Sequence, residues 1–187
     1  CGFYYDIGKF LLPNDITWKP GKLNFLEYDL VMTHAFHGYH IIKNLDIDQH
    51  IKNTTLMHHE RCDGSGYPQN LKFKDIDQFA KMIAILDVYE ALISYRSYRK
   101  PMCPFKAISI LEEDGFAKYD AGYLLTFLQR LTEGYLNKSV RLSDGREGEV
   151  VFINKSSLSR PMIHCVDDEY VDLSLPANKE ITIENLI

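Results

Sequence analysis

The hydrophobic period of this chain changes once, near residue 137, and that change limits the folds open to it. Before it, apolar residues recur at helical spacing, as in Phe25, Leu26, Leu30, Ala35, Tyr39 and Ile42, or Phe79, Ile83, Leu86, Ala91 and Ile93. Such spacing gathers them on one side of an α-helix. After it come short runs of strand character: Val140 to Leu142, Glu149 to Ile153, Met162 to Val166, Tyr170 to Leu173 and Ile181 to Ile183. Asp144-Gly145 supplies turn residues between the first two. The expected architecture is mainly α, a helical domain over residues 1–137 with a small C-terminal antiparallel β appendage over 138–187.

Within the helical part, one helix is expected to end near Gly8. Others should run over 22–45, 48–59, 75–94, 104–113 and 121–135, with prolines and glycines marking the breaks. The chain of 187 residues, 45% of them hydrophobic, can bury a core without staples. Its net charge of -5 gives no field for a nucleic-acid polymer or an anionic membrane. No apolar run is long enough to span a bilayer. Cys1, Cys62, Cys103 and Cys165 are too scattered for a disulfide framework, which suits a reducing cytoplasm. The opening Cys1-Gly2-Phe3-Tyr4-Tyr5 reads as the inside of an apolar segment. The expectation is a cytoplasmic piece of a longer protein, whose missing N-terminal part could carry a membrane anchor.

Chemistry concentrates in His58-His59-Glu60-Arg61-Cys62-Asp63-Gly64-Ser65-Gly66-Tyr67-Pro68. Two adjacent imidazoles end a helical segment there, and a glycine- and proline-rich turn follows. Asp87 interrupts an apolar helical stripe and needs a partner, because an unpaired buried carboxylate is costly. Asp6, His34, His58, His59 and Asp87, from four segments, are the polar groups expected to converge. Imidazole with carboxylate suits a divalent transition metal such as iron, manganese or zinc, which acidifies bound water and suits phosphodiester hydrolysis. Adjacent histidines on a helix point about 100° apart, so His58 and His59 can serve different metals. His37, His40, His50 and His164 are read as structural.

At that run the sequence resembles the HD-GYP family, bacterial cyclic di-GMP phosphodiesterases within the HD metal-phosphohydrolase superfamily. Asp6-Ile7-Gly8-Lys9 is similar to the end of its HD-x-GK motif, and Lys22 through His34 and Gly38 to its next helix. Asp87 to Leu92, with Arg96, Tyr98, Arg99 and Lys100, is similar to a later one. The resemblance implies an HD-type helical bundle, and the β appendage is similar to an extension on many such proteins.

By the same resemblance, Asp6, His34, His58, His59 and Asp87 are metal ligands, for one to three ions with two expected, iron or manganese first. Asp6, Lys9, His59 and Asp87 are the implied catalytic residues. Lys9, Glu90, Arg96, Arg99 and Tyr67 are the implied substrate contacts. Cyclic di-GMP is the implied substrate, giving pGpG or GMP. GGDEF-type or sensor proteins and a second copy of the chain are the implied partners. Tyr5 stands where the family's HD motif has histidine, and a phenol ligates divalent ions poorly. The alternative is therefore a degenerate domain that binds cyclic di-GMP or a protein and signals by shape.

Overall fold

A computed structural model describes residues 1–95 and 100–187. Contacts divide the chain into two compact units, Cys1–Lys100 with Ala117–Tyr123, and Pro101–Phe116 with Leu124–Ile187. Helix gives way to strand after residue 137, whereas the division by contacts falls earlier and cuts two helices.

The first unit begins with a 3-10 turn at Ile7–Leu11 and continues through α1 (Asn14–Thr17), α2 (Phe25–Met32), α3 (His34–Ile42), α4 (Gln49–Met57) and α5 (Gln78–Ile93). No α-helix ends near Gly8; the turn carries the chain past it instead. The segment expected as one helix over 22–45 is two. Asn24 and Glu27 start α2 with a capping box, Glu27 N donating to Asn24 Oδ1 at 2.9 Å and Asn24 N to Glu27 Oε2 at 2.8 Å. At Thr33 side chains take over the backbone acceptors. The Thr33 hydroxyl donates to the Leu30 carbonyl at 2.6 Å, and His34 Nδ1 lies 2.6 Å from the Val31 carbonyl. These are the carbonyls that an unbroken helix offers to the amides four residues on. The break puts His34 at the first position of α3.

Asp48 caps α4 through His50 N at 2.7 Å, and Asp77 caps α5 through Phe79 N at 2.9 Å. The unit's core holds Ala35, Ile42, Ala80, Ala84, Ile85 and Tyr89. Gly8 sets the approach of the first turn to α3. A Cβ there would collide with the His34 carbonyl and the Gly38 amide, so only glycine lets the two backbones touch. That contact brings Asp6 alongside His34.

α6 (Pro104–Lys118) and α7 (Ala121–Glu133) run across the division. α6 was expected to stop before Gly115 but continues to Lys118, with Gly115 buried. One internal glycine costs a helix only about 1 kcal/mol, which tertiary burial readily outweighs. In the second unit, β1 (Ser139–Leu142), β2 (Glu147–Phe152), β3 (Met162–Cys165), β4 (Tyr170–Asp172) and β5 (Ile183–Leu186) form an antiparallel sheet in the order β4-β3-β2-β1-β5. β5 begins where the expected last strand ends. Val140, Leu142, Val150, Ile163, Cys165 and Val171 are its buried face. Phe105, Ile108, Leu111, Leu124 and Leu128 are among the buried residues of α6 and α7 in the same unit. The Glu112 carboxylate ties α6 to the loop after β2 by accepting from Leu158 N at 2.6 Å and Ser159 N at 3.1 Å.

The cysteines are free. Among the described residues, no helix is long and apolar enough to cross a membrane.

Candidate metal centre

Four residues from three chain segments meet at one point inside the first unit. Asp6 immediately precedes the 3-10 turn, His34 opens α3, His58 is the C-cap of α4, and His59 follows it. One ligand atom from each of Asp6, His34, His58 and His59 lies within 4.8 Å of all the others. His34 and His58 are fully buried.

The backbone decides which ring nitrogen faces the cluster. His34 Nδ1 lies 2.6 Å from the Val31 carbonyl, and His58 Nδ1 lies 3.2 and 3.1 Å from the carbonyls of Thr54 and Thr55. Carbonyls only accept, so Nδ1 of each ring carries the hydrogen, and a neutral ring then presents a bare Nε2. Those two Nε2 atoms are 3.3 Å apart. Asp6 Oδ1 stands 3.3 Å from one and 3.5 Å from the other, and this buried oxygen has no hydrogen-bond partner among the described residues. With both rings neutral, three electron-pair donors face one another. A cation resolves this arrangement, and imidazole with carboxylate is the donor set of a divalent transition metal. Carbonyls bonded to the remote ring nitrogen are the usual outer support of such ligands.

Burial pushes the Asp6 carboxyl up, but the rings of His34 and His58 and the Lys9 ammonium more than reverse this, leaving it far below the usual carboxylate range. Burial, then the neighbouring imidazoles of His58 and His34 and the charge of Arg61, hold His59 far below its ordinary value, so its ring is unprotonated. Asp87, on α5, has Oδ2 3.9 Å from His59 Nδ1. Burial first, and then Asp6, raise its carboxyl. Asp87 therefore adjoins the cluster through His59 and is not one of the four converging groups.

The turn after His59 is held by a residue to which sequence reasoning gave no role. Glu60 is 2% exposed, and its carboxylate accepts from Gln69 N at 2.7 Å and Leu71 N at 2.9 Å. Two backbone donors satisfy this buried charge and close the loop. At Gly66 a Cβ would strike the backbone of Glu60 and Arg61, so glycine is required by close approach. The loop lays Tyr67 against the centre, its ring stacked on His59 at 4.6 Å and edge-on to His34 at 6.5 Å. Burial raises the Tyr67 phenol above its ordinary value, so it keeps its proton.

Lys9 binds the outer oxygen of Asp6, Nζ to Oδ2 at 2.6 Å, with its side chain 42% exposed. Tyr5 packs its ring edge-on to His58 at 5.1 Å. Glu90 lies on the exposed surface of α5, accepting from the Ser94 hydroxyl at 2.5 Å. Arg96 and Arg99 lie outside the described residues. The histidines read as structural stay out of the cluster; His50 sits 2.7 Å from Asp77 and His164 sits 2.7 Å from Asp168. Besides Glu60, the carbonyls of Val31, Thr54 and Thr55 escaped sequence reasoning. Their role depends on ring orientation, which no spacing encodes.

A family model described as "HD domain" matches residues 1–122. A cyclic di-GMP phosphodiesterase of Pseudomonas aeruginosa is 34% identical over 164 residues, 87% of this chain and 39% of that protein. The 3'3'-cGAMP-specific phosphodiesterase 1 of Vibrio cholerae is 36% identical over 113 residues, 60% of this chain and 26% of that protein. Among solved structures, a HDG"Y"P protein from Bdellovibrio bacteriovorus superposes with a TM-score of 0.55 at 20% identity, over 68% of this chain and 40% of that one. The chain thus spans about two fifths or less of the length of these proteins.

Proposed function

The chain belongs to the HD domain family, and from that premise we propose that it is a metal-dependent phosphodiesterase of the HD-GYP type that hydrolyses cyclic di-GMP to pGpG or GMP. The observation that carries this reading is the facing set of Asp6 Oδ1, His34 Nε2 and His58 Nε2, three ligand atoms within 3.5 Å of one another. Names of the relatives support the substrate class, since they include cyclic di-GMP and 3'3'-cGAMP phosphodiesterases.

Asp6, His34, His58 and His59 would hold the metal, iron or manganese first, and Asp87 would serve it or a second ion beside His59. When bound, such an ion polarises a phosphoryl oxygen and makes water a nucleophile near neutral pH. The chain's own groups do the rest. Lys9 spends one N–H on Asp6 and keeps two for a phosphate oxygen at the open side. Tyr67, neutral and stacked on His59, offers a hydroxyl beside the same space. Arg96 and Arg99 are proposed to grip the second phosphate. A cytoplasmic setting, sensor or GGDEF-type partners and a homodimer belong to the same proposal.

Manganese- or iron-supplied protein should cleave cyclic di-GMP, and His59→Ala or Asp87→Ala should abolish cleavage. Metal-loaded protein without turnover contradicts the reading. A second reading, a domain that binds cyclic di-GMP and signals by shape, is favoured by Tyr5, a poor ligand beside His58. Tyr5→His separates the two, because a domain one ligand short gains turnover and an active one changes little.

A further inference from the structure

Next to the metal centre lies a cavity of about 650 Å³, walled by α2, the first turn of α3 and the loop that carries Tyr67. Tyr28, Phe36 and Tyr67 give it aromatic walls, and Asp29 is its one carboxylate. Several other polar groups around it are already engaged, and His37 Nδ1 lies 3.5 Å from the Thr33 hydroxyl. The Thr33 hydroxyl donates to the Leu30 carbonyl, the Ser65 hydroxyl to Asp63 at 2.7 Å, and the Asn70 amide to the Gly66 carbonyl. Asp29 makes no hydrogen bond or ion pair among the described residues, although it is half-buried. The acidic side chains nearest it in sequence or site are all occupied: Glu27 by Lys19 and Asn24, Asp6 by Lys9, Asp63 by Ser65.

We propose that this cavity is a guanine subsite and that Asp29 is its specificity-determining residue, an inference that rests on the cyclic-dinucleotide reading above. An ionised carboxylate only accepts, and it has two oxygens. Its matching partner is a flat group with two parallel N–H donors. Guanine presents that pair on one edge as N1–H and the N2 amino group, whereas adenine presents a single amino group beside an acceptor nitrogen. Aromatic walls suit either purine, because every base has a stacking face. Among the wall's side chains, Asp29 is the one carboxylate able to accept both donors.

Placement fits a nucleotide as well. Tyr67 is shared by the cavity and the metal centre, lying 4.6 Å from His59 and 6.5 Å from His34 between ring centroids. Thr33, another wall residue, directly precedes His34. A base held against Tyr67 leaves its phosphate on the side of His59 and His34.

GMP and AMP, which differ only in the base and contain no phosphodiester to cleave, test this directly. Calorimetric titration of the manganese-supplied chain should show GMP bound about tenfold or more tighter than AMP. Asp29→Asn, which turns one acceptor into a donor at constant shape, should bring the two within about twofold. Phe36→Ala should weaken both alike. Equal binding of GMP and AMP by the unaltered chain, no binding of either, or a preference that Asp29→Asn leaves intact overturns the proposal. Hydrolysis read separately keeps the two ideas apart. A GMP preference without cyclic di-GMP cleavage sinks the activity alone, and cleavage without base preference sinks the subsite alone.

Discussion

Two places in the first unit join histidine to aspartate, and they differ in what the ring nitrogen offers. At the edge between α4 and α5, His50 Nδ1 lies 2.7 Å from Asp77 Oδ2, which also accepts from Asn53 at 3.0 Å. Donor meets acceptor, the carboxylate is satisfied, and the contact is closed. At the centre, the rings of His34 and His58 turn Nδ1 to backbone carbonyls, so that both Nε2 atoms face Asp6 Oδ1. The same two residue types make a clasp in one place and an open donor set in the other. What separates them is the ring orientation imposed by the helix ends.

If that contrast is right, the two places should respond differently to substitution. The largest effect is expected at the centre, where His58→Ala or Asp6→Ala should lower metal affinity by ~100-fold or more and remove turnover, since even outer-shell partners of ligands cost 10- to 100-fold. Metal titration followed by an activity assay reads both. Next comes the contact that assembles the centre. Gly8→Ala forces the first turn off α3 and should cost ~3 kcal/mol or more in denaturant unfolding, with metal affinity falling too. Breaking the clasp is expected to matter least. His50→Ala should cost ~1 kcal/mol of stability and leave metal content unchanged.

Acid sharpens the same contrast. His59 is held below its ordinary value of 6.5, so the unfolded chain takes up a proton that the folded chain refuses. Stability of the metal-free protein should therefore fall as pH drops below about 6.5, and His59→Gln should flatten that limb. At Asp77 burial raises the carboxyl but Asn53, His50 and the Phe79 amide lower it further, below its ordinary 3.8. Its contribution is present above that value and is lost only as pH falls further. Two separate acid limbs in pH-dependent unfolding are the expected record.

Sequence carried the larger part of this picture. The change of period near residue 137 separates the helices from the five antiparallel strands, and the His58 to Pro68 run with Asp6 and His34 led to the cluster. Periodicity alone missed the break at Thr33, because Thr33 and His34 side chains displace backbone donors there without altering the apolar spacing. It also stopped α6 at a glycine that tertiary burial keeps helical. Asp87, implied as a ligand by the resemblance, adjoins the cluster at 3.9 Å from His59, a distance set by how α5 lies beside α4. Glu60 and Asp29 went unassigned for opposite reasons. One is buried by the loop it ties, and the other matters through a cavity whose walls come from separate segments.

The central claim is that Asp6, His34, His58 and His59 hold a divalent metal. Elemental analysis of the unaltered chain, His58→Ala and His50→Ala, each purified from manganese- and iron-supplemented cells and checked for folding by circular dichroism, tests it most directly. Bound metal in the unaltered chain and in His50→Ala, with none in His58→Ala, is the predicted result. A folded, unaltered chain without metal, or His58→Ala that keeps its metal in full, contradicts it.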